Sequence, residues 1–397
     1  MCAGGGITGA VYEIGCLRAL EDLLDRSVLD LDLYVGISGG AFVASLLAAG
    51  VSPQELYEDV TAPASSVGVT SASFFRLGFL EFLRRSSRAP RVLTKGLVTA
   101  LTGEGRNMSD LALSLFELLP PGLLDNSGIQ EFLAGALRSR GIRDRFDALA
   151  RELFVVAVDL DRGEAVAFGD AHHGSVTVSR AVQASTALPG LYRPVRIGGR
   201  DYVDGGVKKT AHINLAIRRG ARLVVCLNPI VPILNEDERG PLGGHLSNRG
   251  VTYVLDQALR IMLHGRMQYG MERYETEHPE VDILLVEPTR DDMRMFGYNI
   301  MRYSARRVVA EDGYRSVVLA FRKNRAAYQR LLARHGIGLR DPFSLPDAPQ
   351  RHPFRSTVAR ALSSSLDRLE STLGSRPPRL PRYRSRGRSK YPRRRAG

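Results

Sequence analysis

Soon after the first residue, apolar positions recur at helical spacing. Val11, Ile14, Leu17, Leu20 and Leu24 lie three or four apart and predict an amphipathic helix behind a glycine cluster, Gly4-Gly5-Gly6. Residues 31–37, Leu-Asp-Leu-Tyr-Val-Gly-Ile, read as a short and mostly buried strand, and 41–49 as a second apolar helix closed by Gly50. Residues 54–140 are patterned mainly as helix, with a break at Pro120-Pro121-Gly122. The apolar run 153–158 is a buried strand, and 165–168, 192–197, 200–204, 222–227 and 281–286 are further strands. Strands separated by helical stretches predict a layered α/β sheet with helices on both faces. From Pro342 onward Pro, Ser and Arg accumulate, and helical patterning survives only over 358–373. No internal repeat interrupts this order.

Composition narrows the class. The 397 residues are 44% hydrophobic and 24% charged, which excludes a disordered or fibrous chain and leaves ample length for a core. The longest apolar stretches, such as 41–50, are too short to span a bilayer, and no signal peptide opens the chain. A cytoplasmic protein, with peripheral membrane association, is therefore expected. Cys2, Cys16 and Cys226 form no CxxC and no even set, which argues against a disulfide scaffold and a cysteine-based zinc site. No cluster of oxygen ligands has the spacing of a metal loop, so neither metal nor cofactor is expected.

The net charge of +13 is a property of the tail. Nine Arg and Lys390, with no acid, follow residue 375, and four Arg face two acids over 351–375, so the last 47 residues hold +12. Such a tail suits anionic lipid or non-specific nucleic acid, or it serves only as a solvated end. Nucleic acid is the weaker partner, since no recognition motif accompanies the charge. Residues 73–95 interleave Phe74, Phe75, Phe79 and Phe82 with Arg76, Arg84, Arg85 and Arg88. They fit an amphipathic cap that meets a membrane or, equally, a core helix with a basic end.

Candidate chemistry begins at Gly36-Ile37-Ser38-Gly39-Gly40. This G-x-S-x-G follows a strand and precedes a helix, the context in which a sharp turn lifts a serine hydroxyl above a sheet. The helix behind Ser38 would offer N–H groups and partial positive charge to an oxyanion. The plainer reading makes Ser38 a helix cap. Gly4-Gly5-Gly6-Ile7-Thr8-Gly9 also supports two readings: a dinucleotide phosphate loop, or an oxyanion loop whose bare N–H groups face an acyl carbonyl. The first lacks its acidic residue at the end of the second strand. Asp204-Gly205-Gly206 ends a strand and is either an aimed carboxylate or an ordinary turn. Among eight histidines, His212 is the nearest candidate for a Ser-His-Asp triad.

In their order, these segments resemble the patatin-like phospholipases: Gly4 to Gly9, then Gly36 to Gly40, then Ala184-Ser185-Thr186-Ala187-Leu188-Pro189, then Asp204-Gly205-Gly206. The resemblance implies a three-layer α/β/α sandwich with a mainly helical cap and a C-terminal helical extension. It implies a lipid acyl hydrolase with Ser38 as nucleophile and Asp204 as base, a Ser–Asp dyad. Gly4, Gly5, Gly6 and Gly39 would form the oxyanion hole, with Gly9, Gly36, Gly40, Gly205 and Gly206 as motif glycines. The expected organisation is a hydrolase domain over 1–345, with its motif core at 1–210, a cap at about 60–140 and an extension at 211–345. Residues 346–397 form the basic tail. Two features depart from the family pattern. Thr8 stands where a basic residue is usual, and the short lead before Gly4 leaves little chain for the strand that normally supports the glycine loop, which points to a start upstream.

Overall fold

The computed structural model describes residues 1–61, 76–77, 120–235, 244–288 and 305–346. Most of the expected cap, including 73–95 apart from the backbone of 76–77, lies outside the described residues. So do the tail beyond residue 346 and the 358–373 helix.

The element order alternates as the pattern predicts. It runs α1 (Gly6–Leu23), β1 (Leu33–Ile37), α2 (Gly39–Ala48), α3 (Pro53–Thr61), β2 (Arg76–Leu77), β3 (Gly122–Asp125) and α4 (Ser127–Ser139). Then come β4 (Glu152–Asp159), β5 (Glu164–Phe168), α5 (Val178–Ser185), β6 (Gly190–Tyr192), β7 (Val195–Ile197), β8 (Arg200–Asp204) and α6 (Ile213–Arg218). The chain continues through β9 (Leu223–Leu227), α7 (Val251–Glu277), β10 (Asp282–Val286), α8 (Arg306–Lys323) and α9 (Arg325–Ala333).

The glycine cluster opens α1, with Gly6 its first residue and Gly5 its cap. Two expectations are corrected. The Pro-Gly segment at 120–122 leads into a strand, β3, rather than separating two helices. The single strand expected over 192–197 is two, β6 and β7. Pro194 has no N–H to donate to a ladder, and the chain passes there from a small sheet with β3 to the main sheet with β8.

β4 is the hub of the main sheet. It runs parallel to β1 and antiparallel to both β5 and β8. Its side chains alternate between two apolar layers: Leu153, Val155 and Ala157 pack with the α1, α2 and α5 helices. Phe154 and Val156 meet Val35, Ile37 and Leu215 on the other face. Burial on both faces explains why β4 reads as an uninterrupted apolar run.

The residues before Gly4 add to the sheet between β1 and β9. Cys2 bridges β1 and β9 in parallel fashion at Gly36 and Leu227. The Cys2 N–H donates to Val35 O at 2.8 Å, Ala3 N–H to Leu227 O at 2.9 Å, and Ile37 N–H to the Cys2 carbonyl at 3.1 Å. Three residues thus join the β9–β10 pair to the rest of the sheet and deliver Gly4 to the end of β1.

Candidate active site

Register on β4 decides where the two candidate residues meet. Ile37, the last residue of β1, pairs with Val156, and Asp204, the last of β8, pairs with Ala157. β5 holds the opposite edge of β4 at both positions. β1 and β8 therefore share one edge and approach it from opposite directions. Their C-terminal ends meet head to head, bringing Ser38 beside Asp204 although 166 residues separate them.

Ser38 occupies a strained turn. Its φ of 53° and ψ of −130° make it the one non-glycine residue with positive φ among the described residues. Such backbone strain persists only where the surroundings over-determine it. Here the Ser38 N–H donates to Ser185 Oγ at 2.9 Å, and Ser185 Oγ in turn donates to the Val156 carbonyl. Ser185 fills the gap on the β4 edge between the end of β1 and the end of β8. The sequence singled out the segment around Ser185 but assigned it no role. Ser38 also makes no side-chain capping bond to α2, so the cap reading does not describe its hydroxyl.

The Ser38 hydroxyl stands beside the Asp204 carboxylate in the wall of one cavity and favours its charged form. Asp204 is 3% exposed, and its Oδ1 accepts the Gly206 N–H at 2.8 Å. Burial lifts its carboxyl to about 6, against the opposing pull of Ser38 and the Gly206 N–H. His212 is buried elsewhere. It does not line the cavity, and burial pushes it down to about 4, so it is neutral at pH 7.

Two helix N-termini converge on Ser38 and Asp204. α1 begins at Gly6 and α2 at Gly39, neither with a side-chain cap, and first-turn N–H groups have no intrahelical partner. The two ends touch, since a Cβ on Gly39 would lie 2.2 Å from the Gly6 carbonyl oxygen. The candidate glycines divide by position. Gly4, Gly5, Gly6, Gly9, Gly39 and Gly206 line the cavity together with Ser38 and Asp204. Gly36, Gly40 and Gly205 lie behind it, where β1, α2 and the Asp204 turn pack backbone to backbone.

The cavity, about 160 Å³, is walled mainly by apolar side chains such as Val11, Leu46, Phe132, Leu188, Ile230 and Leu263. Thr8 lies in this wall, 4% exposed. Sequence reasoning missed the contribution of α7. Its Asp256 and Arg260 enter the wall as an ion pair, Arg260 Nε to Asp256 Oδ2 at 3.0 Å, with Arg260 Nη1 donating to the Val231 carbonyl at 3.3 Å. An isolated Asp-x-x-x-Arg in a helix carries no signal, because the same spacing describes countless surface pairs.

The chain is similar to "Probable lipid hydrolase 463L" of Invertebrate iridescent virus 6, with 22% identity over 214 residues, 54% of this chain and 61% of the viral protein. It is also similar to "Uncharacterized protein YqhO" of Bacillus subtilis (strain 168), with 24% identity over 236 residues, 56% of this chain and 68% of that one. Its match thus spans about three fifths of the viral relative's length. Among solved structures, VipD from Legionella pneumophila aligns with 94% of this chain and 75% of its own, at 16% identity and a TM-score of 0.39. The patatin-like phospholipase family model matches residues 1–217, a segment that holds the glycine loop, the Ser38 turn and Asp204, and the chain belongs to that family.

Proposed function

We propose that the protein hydrolyses ester bonds of phospholipids or related lipids through an acyl-enzyme on Ser38, with Asp204 as base. One observation carries the reading: a serine hydroxyl beside a buried carboxylate, between two uncapped helix N-termini, in an apolar cavity. Ser38 Oγ attacks the ester carbonyl while its proton passes to the Asp204 carboxylate. The carbonyl oxygen gains negative charge facing the N–H groups of the Gly4–Gly6 run and Gly39, where two helix ends add partial positive charge. The C–O bond to the alcohol breaks, and Asp204 returns the proton to the leaving oxygen. Water then attacks the acyl-enzyme, losing its proton to Asp204; as the C–O bond to Ser38 breaks, Asp204 passes that proton to Ser38 Oγ, and fatty acid leaves.

A carboxyl near 6 is suited to both halves of the cycle. It is mostly ionised at pH 7, yet it binds a proton far more readily than an ordinary aspartate. Apolar walls accommodate acyl chains and exclude bulk water, which strengthens the electrostatic interactions at the carbonyl. The basic tail supports attachment to anionic lipid surfaces.

A fluorophosphonate probe should label wild type at Ser38 and leave Ser38→Ala unlabelled. A panel of phospholipids and neutral esters should yield free fatty acid with wild type only. Labelling at another serine, or equal turnover by Ser38→Ala, refutes the mechanism. Acyl transfer to an added alcohol in place of fatty acid release would make the enzyme a transacylase.

A further inference from the structure

We propose that α7 docks the protein on a lipid surface. The inference rests on the lipid substrate proposed above and assigns the face through which that substrate arrives. α7 is apolar on two opposite sides. Leu259 and Leu263 line the catalytic cavity, as do Asp256 and Arg260, and Met267 is buried farther along the same side. The opposite side is bare: Val251 is 69% exposed, Leu255 63%, Met262 55%, Ile261 53%, Val254 46% and Tyr269 71%. At 100° per residue these positions stay within about 120° of one another, repeating roughly every seven residues, and form one stripe about 27 Å long at 1.5 Å per residue.

A stripe of large apolar side chains on a monomer marks a partner. Its charge pattern selects an anionic lipid surface. From Val251 to Tyr269 the one charged exposed residue is Arg266, and Arg249 stands just before the helix. The acid in this span, Asp256, faces the cavity and is already paired to Arg260. Lys208 and Lys209 are exposed on the turn that follows Asp204, and Arg266 Nη1 reaches that turn at the Val207 carbonyl, 2.8 Å away. Acidic side chains reappear only at Glu272, past the end of the stripe. An apolar helix face bordered by cations and, among the described residues, bearing no exposed acid from Val251 to Tyr269 is the pattern of a helix lying in a membrane interface. One face of α7 would sit among acyl chains while its other face walls the cavity, so a lipid leaving the bilayer has only one helix to pass.

The chain contains no tryptophan, so Met262→Trp installs a single reporter on the stripe. It is to be measured in the full chain, in a Ser38→Ala background that spares the lipid. The probes are vesicles of phosphatidylcholine and of an equimolar phosphatidylcholine–phosphatidylserine mixture. Emission should shift to the blue on both vesicles, with tighter binding to the mixture. With Ser38 intact, Leu255→Gln with Ile261→Gln should weaken vesicle binding at least about tenfold and slow hydrolysis of vesicle lipid. Hydrolysis of a soluble short-chain ester should not change, because neither side chain lines the cavity.

Vesicle binding equal to wild type in the double variant overturns the proposal, as does a reporter that ignores vesicles. Blue emission before lipid is added, with a lower melting temperature for the double variant, would show that a segment of this chain covers the stripe and also overturns it. So would a dimer in sedimentation that the double variant converts to monomer with vesicle binding intact. A wild type inert on every ester but still bound through α7 would sink the proposed hydrolase and leave the docking surface standing.

Discussion

Asp204→Asn should separate activity from stability, raising one while nearly abolishing the other. Burial moves this carboxyl from an ordinary 3.8 to about 6. Two units correspond to about 3 kcal/mol in favour of the protonated form. The sign follows from proton counting. Below about pH 4 both folded and unfolded chains hold the proton, and between about 4 and 6 the folded chain keeps one that the unfolded chain has lost. Stability therefore falls as pH rises through that window, and above it the full cost of a buried charge remains. Asparagine keeps the shape, accepts the Gly206 N–H through its own oxygen, and carries no charge to desolvate. At neutral pH the variant should be more stable than wild type by up to about 3 kcal/mol, and the gain should vanish near pH 4. Its turnover should fall by about 10²–10⁴, since the amide cannot accept the Ser38 proton. Wild-type kcat/KM on a soluble ester should drop about tenfold per pH unit below about 6. Urea denaturation of both proteins across this range, with pH–rate profiles, tests the set. An Asn variant less stable than wild type at neutral pH, or a flat wild-type profile through pH 6, would refute the reasoning.

Three further outcomes are expected. Ser185→Ala removes the bridge between the Ser38 N–H and the Val156 carbonyl; two buried backbone groups lose their partner, so stability should fall by about 1–3 kcal/mol in denaturant titrations and acylation should slow. Gly39→Ala places a methyl 2.2 Å from the Gly6 carbonyl oxygen; the two helix ends must part, and fluorophosphonate labelling should be lost while the circular dichroism of the fold persists. Glu13 is fully buried in α1, neither carboxylate oxygen has a hydrogen-bond partner among the described residues, and burial pushes its carboxyl well above the usual range. Glu13→Leu should raise stability at neutral pH by about 1–3 kcal/mol, as measured by thermal unfolding, with a smaller gain in acid, where wild type is neutral there as well.

Local patterning by itself determined the elements closest to the chemistry. β4 was legible because a strand buried on both faces must be apolar throughout, and α1 because helical spacing repeats over five residues. The Ser38 turn was legible because glycine, serine and glycine must sit within five residues for the backbone to make that turn at all. The ordered motifs then pointed to a family and a dyad. Elsewhere local signals misled. Pro194 split one expected strand between two sheets. Tertiary structure alone decided that Ser38 and Asp204 face one cavity side by side, for their meeting depends on two strands sharing one edge of β4. Neither strand encodes that register. It likewise decided that Ser185 locks the turn, that His212 lies apart from the cavity, and that α7 walls the cavity with one face and bares the other. Periodicity reports which side of an element is apolar, but a helix apolar on two sides has no preferred face until the rest of the fold covers one of them.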